Sequence, residues 1–111
     1  MTTERRRRAA RGGVEALPFI EQLLGGPITL AAFLEAIRRG EEMTQGEFAA
    51  RLGVSKSHLC DIEKGRKVVS PERAARFAEL LGYSSDQFVR LALQDAIDKA
   101  GLRYTVQVTA A

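Results

Sequence analysis

Residues 43–65, MTQGEFAARLGVSKSHLCDIEKG, constrain the fold of this chain more than any other stretch. Thr44 and Glu47 make a T-x-x-E capping box, in which the hydroxyl accepts a backbone N–H while the carboxylate reaches back to the cap's own N–H. The box predicts a helix beginning at Gln45. Met43 and Phe48 flank the cap at the spacing of a hydrophobic staple, which fixes the angle of approach. Gly53 is placed to stop that helix, because glycine turns left-handed after a last turn without a Cβ clash. Val54, Ser55 and Leu59 then repeat staple, cap and staple, so another helix starts almost at once and runs to about residue 64. Two helices joined so tightly must cross steeply.

The second of these helices divides its chemistry by side. At about 100° per residue, Leu59 and Ile62 share one face, whereas Ser57, Cys60, Asp61 and Lys64 lie opposite, with Lys56 at the edge. The first face is built to bury, and the second is free to touch something outside the chain.

The ordered set Thr44, Gln45, Glu47, Phe48, Ala49, Leu52, Gly53, Val54, Ser55, Leu59, Ile62, Glu63 and Gly65 resembles the phage-repressor-like (Xre-type) helix-turn-helix proteins, with the likeness running from residue 30 to about residue 91. That resemblance implies a mainly α, lambda-repressor-like bundle of five helices that binds operator DNA as a dimer. The helix over residues 55–64 would enter the major groove amino end first. An ion pair between Arg38 and Glu63 is also implied, tying the first helix to the end of the third and taking no part in DNA contact. On this footing the base readers are Lys56 and Ser57, with Lys56 suited to guanine O6 and N7 and Asp61 to a cytosine amino group. Thr44, Gln45, Lys64, Arg66 and Lys67 would hold phosphates, Gln45 beside the partial positive charge of a helix amino end. Asp61 is repelled by phosphates unless it finds a base donor or a neighbouring Lys or Arg. His58, off the centre of the exposed face, is a backbone contact or a bystander.

Around this core the chain divides readily. Residues 1–13, MTTERRRRAARGG, lack apolar periodicity and read as a disordered basic arm, either a solubilising tail or a segment seeking phosphates or a minor groove. Residues 14–26 hold an extra short helix in which Leu17, Ile20 and Leu24 share a face. Its roles divide between bracing the domain, extending a dimer interface and docking a protein. Residues 28–100 form the helix-turn-helix domain. Its first helix follows Thr29, with Leu30, Phe33, Leu34 and Ile37 as an apolar stripe and Arg38 and Arg39 in the last turn. Ser70 and Pro71 start a fourth helix, which buries Ala74, Phe77, Ala78 and Leu81 and ends at Gly82. Tyr83, Ser84, Gln87 and Phe88 combine a second capping box with a staple, so a fifth helix runs from about Ser85 to Gly101. Its apolar band is wide, with Phe88, Leu91 and Ala92 on one side and Val89, Leu93, Ala96 and Ile97 on the next. A single core would need a narrower stripe.

Residues 101–111 change period. Leu102, Tyr104, Val106 and Val108 alternate with Arg103, Thr105 and Gln107, as in a half-buried β-strand. No second convincing strand exists in the chain, and a lone strand needs a partner. That partner is its own copy about a two-fold axis, which makes Leu102, Tyr104, Val106 and Val108 dimerisation residues, or the sheet of another protein.

Charge and composition fit a DNA-binding reading. Residues 1–11 and 51–76 each carry +4, residues 12–50 carry −4 and residues 77–111 carry −1, within a total of +3. Enzymatic readings are weak. His58 and Cys60 stand two apart on a helix and make no dyad, one His and one Cys cannot complete a zinc site, and no glycine-rich phosphate loop is present. No metal or cofactor is expected. A lone cysteine, an apolar run no longer than residues 28–34 and no apolar segment after the arginines make the cytoplasm the expected location. The sequence therefore predicts a sequence-specific transcriptional regulator, a dimeric repressor whose partners are double-stranded operator DNA and its own copy. The alternative is the antitoxin of a toxin–antitoxin pair, which binds a protein toxin and autoregulates its operon.

Overall fold

Each helix among the described residues begins where a hydroxyl stands ready to cap it. In the computed structural model, which describes residues 28–111, five helices follow in order: α1 (Leu30–Gly40), α2 (Gln45–Leu52), α3 (Lys56–Glu63), α4 (Pro71–Leu81) and α5 (Ser85–Lys99). The expected arm at residues 1–13 and helix at residues 14–26 lie outside the described residues. Thr29, Thr44, Ser55, Ser70 and Ser84 each accept the N–H three residues on, an interaction worth about 1 kcal/mol per helix. The capping box at α2 is complete, with the Glu47 carboxylate accepting the Thr44 N–H at 2.9 Å. At α5 the expected second box is only half made. The Gln87 N–H reaches Ser84 at 3.5 Å, but the Gln87 carboxamide oxygen accepts from Arg90 instead, because a charged donor one turn on outcompetes a neutral backbone N–H.

Every helix turns its apolar stripe to one centre. Leu30, Phe33, Leu34 and Ile37 of α1 meet Phe48 and Leu52 of α2, Leu59 and Ile62 of α3, Phe77 and Leu81 of α4, and Phe88 and Leu91 of α5, all buried. The rings of Phe33, Tyr83 and Phe88 pack with centroids 5.6 to 5.9 Å apart, the separation at which edge-on aromatic contacts are favourable. This core uses only part of the α5 band: Val89, Leu93 and Ile97 are half-buried and Ala96 is exposed. No described helix is long and apolar enough to cross a membrane.

Two polar ties fix elements that sequence order leaves apart. Glu41, between α1 and α2, is buried and bonded to Arg51 at 3.0 Å; burial and the Glu41 charge together raise the neighbouring Tyr83 phenol above its ordinary pKa, against the opposing pull of Arg51. Asp95 of α5 accepts the Leu30 N–H at 3.1 Å, satisfying one of the first-turn donors of α1 that has no intrahelical partner.

The tail departs from the expected strand. The Leu102 N–H returns to the Ile97 carbonyl as α5 closes, and residues 102–108 belong to no sheet among the described residues. Instead the Gln94 carboxamide donates to the Tyr104 carbonyl and accepts the Val106 N–H, both at 2.8 Å. Val106 and Val108 are half-buried between exposed neighbours, whereas Leu102 and Tyr104 remain 48% and 67% exposed.

Asp95 makes the fold sensitive to pH. Burial raises its carboxyl above the usual carboxylate range, the Leu30 hydrogen bond opposes that rise and the Asp98 charge adds to it. A carboxyl that holds its proton to higher pH when folded than when unfolded favours folding below the ordinary carboxylate range and loses that contribution as pH climbs through the raised value. Asp95→Asn keeps an oxygen for Leu30 and removes the charge. Its melting temperature relative to wild type should therefore rise as pH is taken from acid toward neutral, and a constant difference in calorimetry would contradict the assignment.

Candidate nucleic-acid interface

The joint between α2 and α3 exposes one helix while burying its back. Gly53 adopts φ 75° and sends its N–H to the last turn of α2, Val54 follows with an N–H to the Ala49 carbonyl, and Ser55 caps α3. No slack remains between them. Leu59 and Ile62 are buried under α3, while Lys56 and Ser57 are exposed at its amino end and Cys60 and Asp61 are half-exposed further along. Lys64, expected inside this helix, is instead its C-cap.

The orientation of α3 is fixed from below by Glu63. Its side chain is only 4% exposed, and it receives Arg38 Nε at 2.9 Å, Arg38 Nη2 at 3.1 Å and Gln45 Nε2 at 3.1 Å. Arg38 Nη1 also donates to the Met43 carbonyl at 3.2 Å. One carboxylate thus joins α1, α2 and α3. Gln45, expected to hydrogen-bond a phosphate alongside backbone N–H groups, donates from its Nε2 to Glu63, a buried carboxylate being a strong acceptor. What α2 still presents at its amino end is the backbone: Thr44 spends its oxygen on the Glu47 N–H, and first-turn N–H groups ahead of Glu47 lack intrahelical acceptors.

The cations gather past the other end of α3. Gly65 turns the chain at φ 75°, and the N–H groups of Arg66 and Lys67 both return to the Asp61 carbonyl, at 2.8 and 3.3 Å. This fold-back brings the Arg66 guanidinium within 3.4 Å of the Asp61 carboxylate, so the acid on the exposed face stands beside a partner. Lys64, Arg66 and Lys67 are all exposed. A further cation was not legible in the sequence. Arg73, in the first turn of α4, lies 3.1 and 3.3 Å from the two ring nitrogens of His58, where an unprotonated nitrogen can accept its N–H. That contact joins the first turn of α4 to α3 across 15 positions of sequence. Among the described residues no three His, Cys, Asp or Glu side chains gather as a metal site requires.

A family model described as a helix-turn-helix domain matches residues 29–91, more than half of the chain. The protein belongs to the helix-turn-helix domain family. No curated protein and no solved structure matched it. The matched stretch opens on Thr29, the cap of α1, and closes on Leu91 in α5. The helix-turn-helix domain thus includes the whole Glu63 network and the basic loop, in agreement with the phage-repressor resemblance, while Gln94 and the tail lie outside the match. Within the domain, α2, Gly53 and α3 are the helix, turn and helix.

Removing Arg38 should be costly, because it strands a carboxylate that is already buried. Arg38→Met should destabilise the domain by roughly 3–5 kcal/mol, read as a lower urea midpoint at unchanged slope. Adding Glu63→Gln should recover part of that loss; equal midpoints for wild type and Arg38→Met would show that the pair carries little.

Proposed function

We propose that this protein is a sequence-specific DNA-binding transcriptional regulator, a dimeric repressor that works by binding alone and without catalysis, in the cytoplasm. The observation that carries this reading is the exposed amino half of α3, where Lys56 and Ser57 stand clear of the globule on a helix held rigidly from beneath. The α3 helix enters the major groove amino end first. Lys56 donates to guanine O6 and N7, and Ser57 reads the adjacent base edge. Asp61, charge-compensated by Arg66, accepts a cytosine amino donor. Phosphates are held by backbone N–H groups around Thr44 and Gln45 and by Lys64, Arg66 and Lys67, with Arg73 as an addition on the flank of α3. Residues Leu102, Tyr104, Val106 and Val108 pair the two subunits, setting their third helices one turn of B-DNA apart, about 34 Å.

Selection from randomised duplexes, followed by anisotropy with the selected site, tests the reading. With roughly six phosphates neutralised per dimer, affinity should fall about a thousandfold between 50 and 200 mM salt; a flat salt response would overturn the proposal. Lys56→Ala should relax preference at one base pair by about 1–3 kcal/mol, whereas Lys67→Ala should weaken all sequences alike.

A further inference from the structure

The tail is prepared for pairing along one edge only. In an extended chain successive residues point their N–H and C=O groups to opposite edges. The Tyr104 carbonyl and the Val106 N–H turn toward α5, where the Gln94 carboxamide meets both at 2.8 Å, much as a peptide of a neighbouring strand would. Arg103, Thr105 and Gln107 therefore offer theirs on the far edge. Their backbone groups make no hydrogen bond among the described residues, and all three residues are exposed. Beside this stretch lies an open cleft of about 590 Å³, bordered by Arg90, Gln94 and Asp98 of α5 and by Arg103 and Thr105 of the tail.

We propose that residues 102–108 pair antiparallel, through this far edge, with the same edge of a second copy, and that Thr105 lies on the two-fold axis. The inference rests on the dimeric reading above and adds the edge, the register and the residue that prepares them. Only registers that bring far-edge residues of both copies opposite one another form a ladder. Among these, a shift that sets Arg103 against Arg103 opposes like charges, which is destabilising in directly facing positions. With Thr105 on the axis, Arg103 instead faces Gln107, whose side-chain oxygen can accept from it. The same register places Leu102 opposite Val108 and Tyr104 opposite Val106, so the two large apolar side chains left 48% and 67% exposed each gain a cross-strand apolar neighbour. The half-buried Leu93 and Ile97 extend that apolar surface along α5. Gln94 holds the strand in its paired shape before the partner arrives, which lowers the ordering cost of association.

Single cysteines in a Cys60→Ser background of the full chain test the register under mild oxidation. Facing Cα atoms at Thr105 would lie about 5.5 Å apart, within the disulfide range of about 4.4–6.8 Å, while each of positions 104 and 106 would lie diagonal to its own copy at about 7–8 Å. Thr105→Cys should therefore form a reducible dimer. Tyr104→Cys and Val106→Cys should not do so separately but should when mixed. Self-linking at 104 or 106 with none at 105 overturns the register. A dimer by ultracentrifugation that links at none of these positions overturns the interface, as does a monomer that still binds its selected DNA. A dimer that links as expected yet binds no DNA instead overturns the function proposed above and leaves this inference standing. Gln94→Met should weaken dimerisation about tenfold while leaving the melting temperature of the diluted monomer unchanged; an unchanged dissociation constant would remove Gln94 from the interface's preparation.

Discussion

A carboxylate with a 4% exposed side chain can stay ionised only where donors surround it, and at Glu63 those donors come from two other helices. Arg38 supplies a two-pronged grip from α1 and Gln45 a third hydrogen bond from α2. The arrangement is satisfied only when α1, α2 and the end of α3 take one mutual orientation. Hydrophobic burial alone would tolerate small rotations of α3 about its axis, because Leu59 and Ile62 would find other apolar contacts. The charged network does not tolerate them, since each rotation would leave a buried charge short of a partner. The direction in which Lys56 and Ser57 point is thus set from the far end of the same helix, at Glu63.

The electrostatics of the exposed side follow from how the chain leaves α3. An acid at position 61 runs against the positive character of this surface, and the turn at Gly65 resolves the conflict by bringing Arg66 back over it. Being solvent-exposed, that pair is worth little for stability. Its effect is to neutralise the acid without consuming Lys64 or Lys67. The interface therefore keeps its net positive character while retaining one acceptor among donors, which a purely basic helix would lack.

What could be read from the sequence was whatever is local. All five caps, the glycine stops after α2 and α4 and the buried stripes follow from neighbours three or four residues apart, where chain geometry leaves few choices. The Arg38–Glu63 pair came from family likeness, since no spacing rule connects those positions. Ties between distant positions stayed hidden: Asp95 reaches Leu30 across 65 residues, Glu41 is buried against Arg51 although an acid in a turn reads as solvated, and Arg73 meets His58 across 15 positions that no spacing rule connects. The Gln45 bond to Glu63 is likewise a tie that the sequence does not announce. In the tail, the alternation of residues 102–108 predicts a strand, but these residues join no sheet among the described residues, and the Gln94 side chain that holds Tyr104 and Val106 is encoded by no sequence period.

The tight joint at Gly53 has an evolutionary corollary. Because only Val54 separates the stop of α2 at Gly53 from the cap of α3 at Ser55, α3 has no swivel by which to adjust its direction. Variation on this helix is then confined to exchanging the outward side chains on a fixed mount, one position at a time, and insertions between residues 52 and 55 should be the changes least tolerated in descendants of this chain.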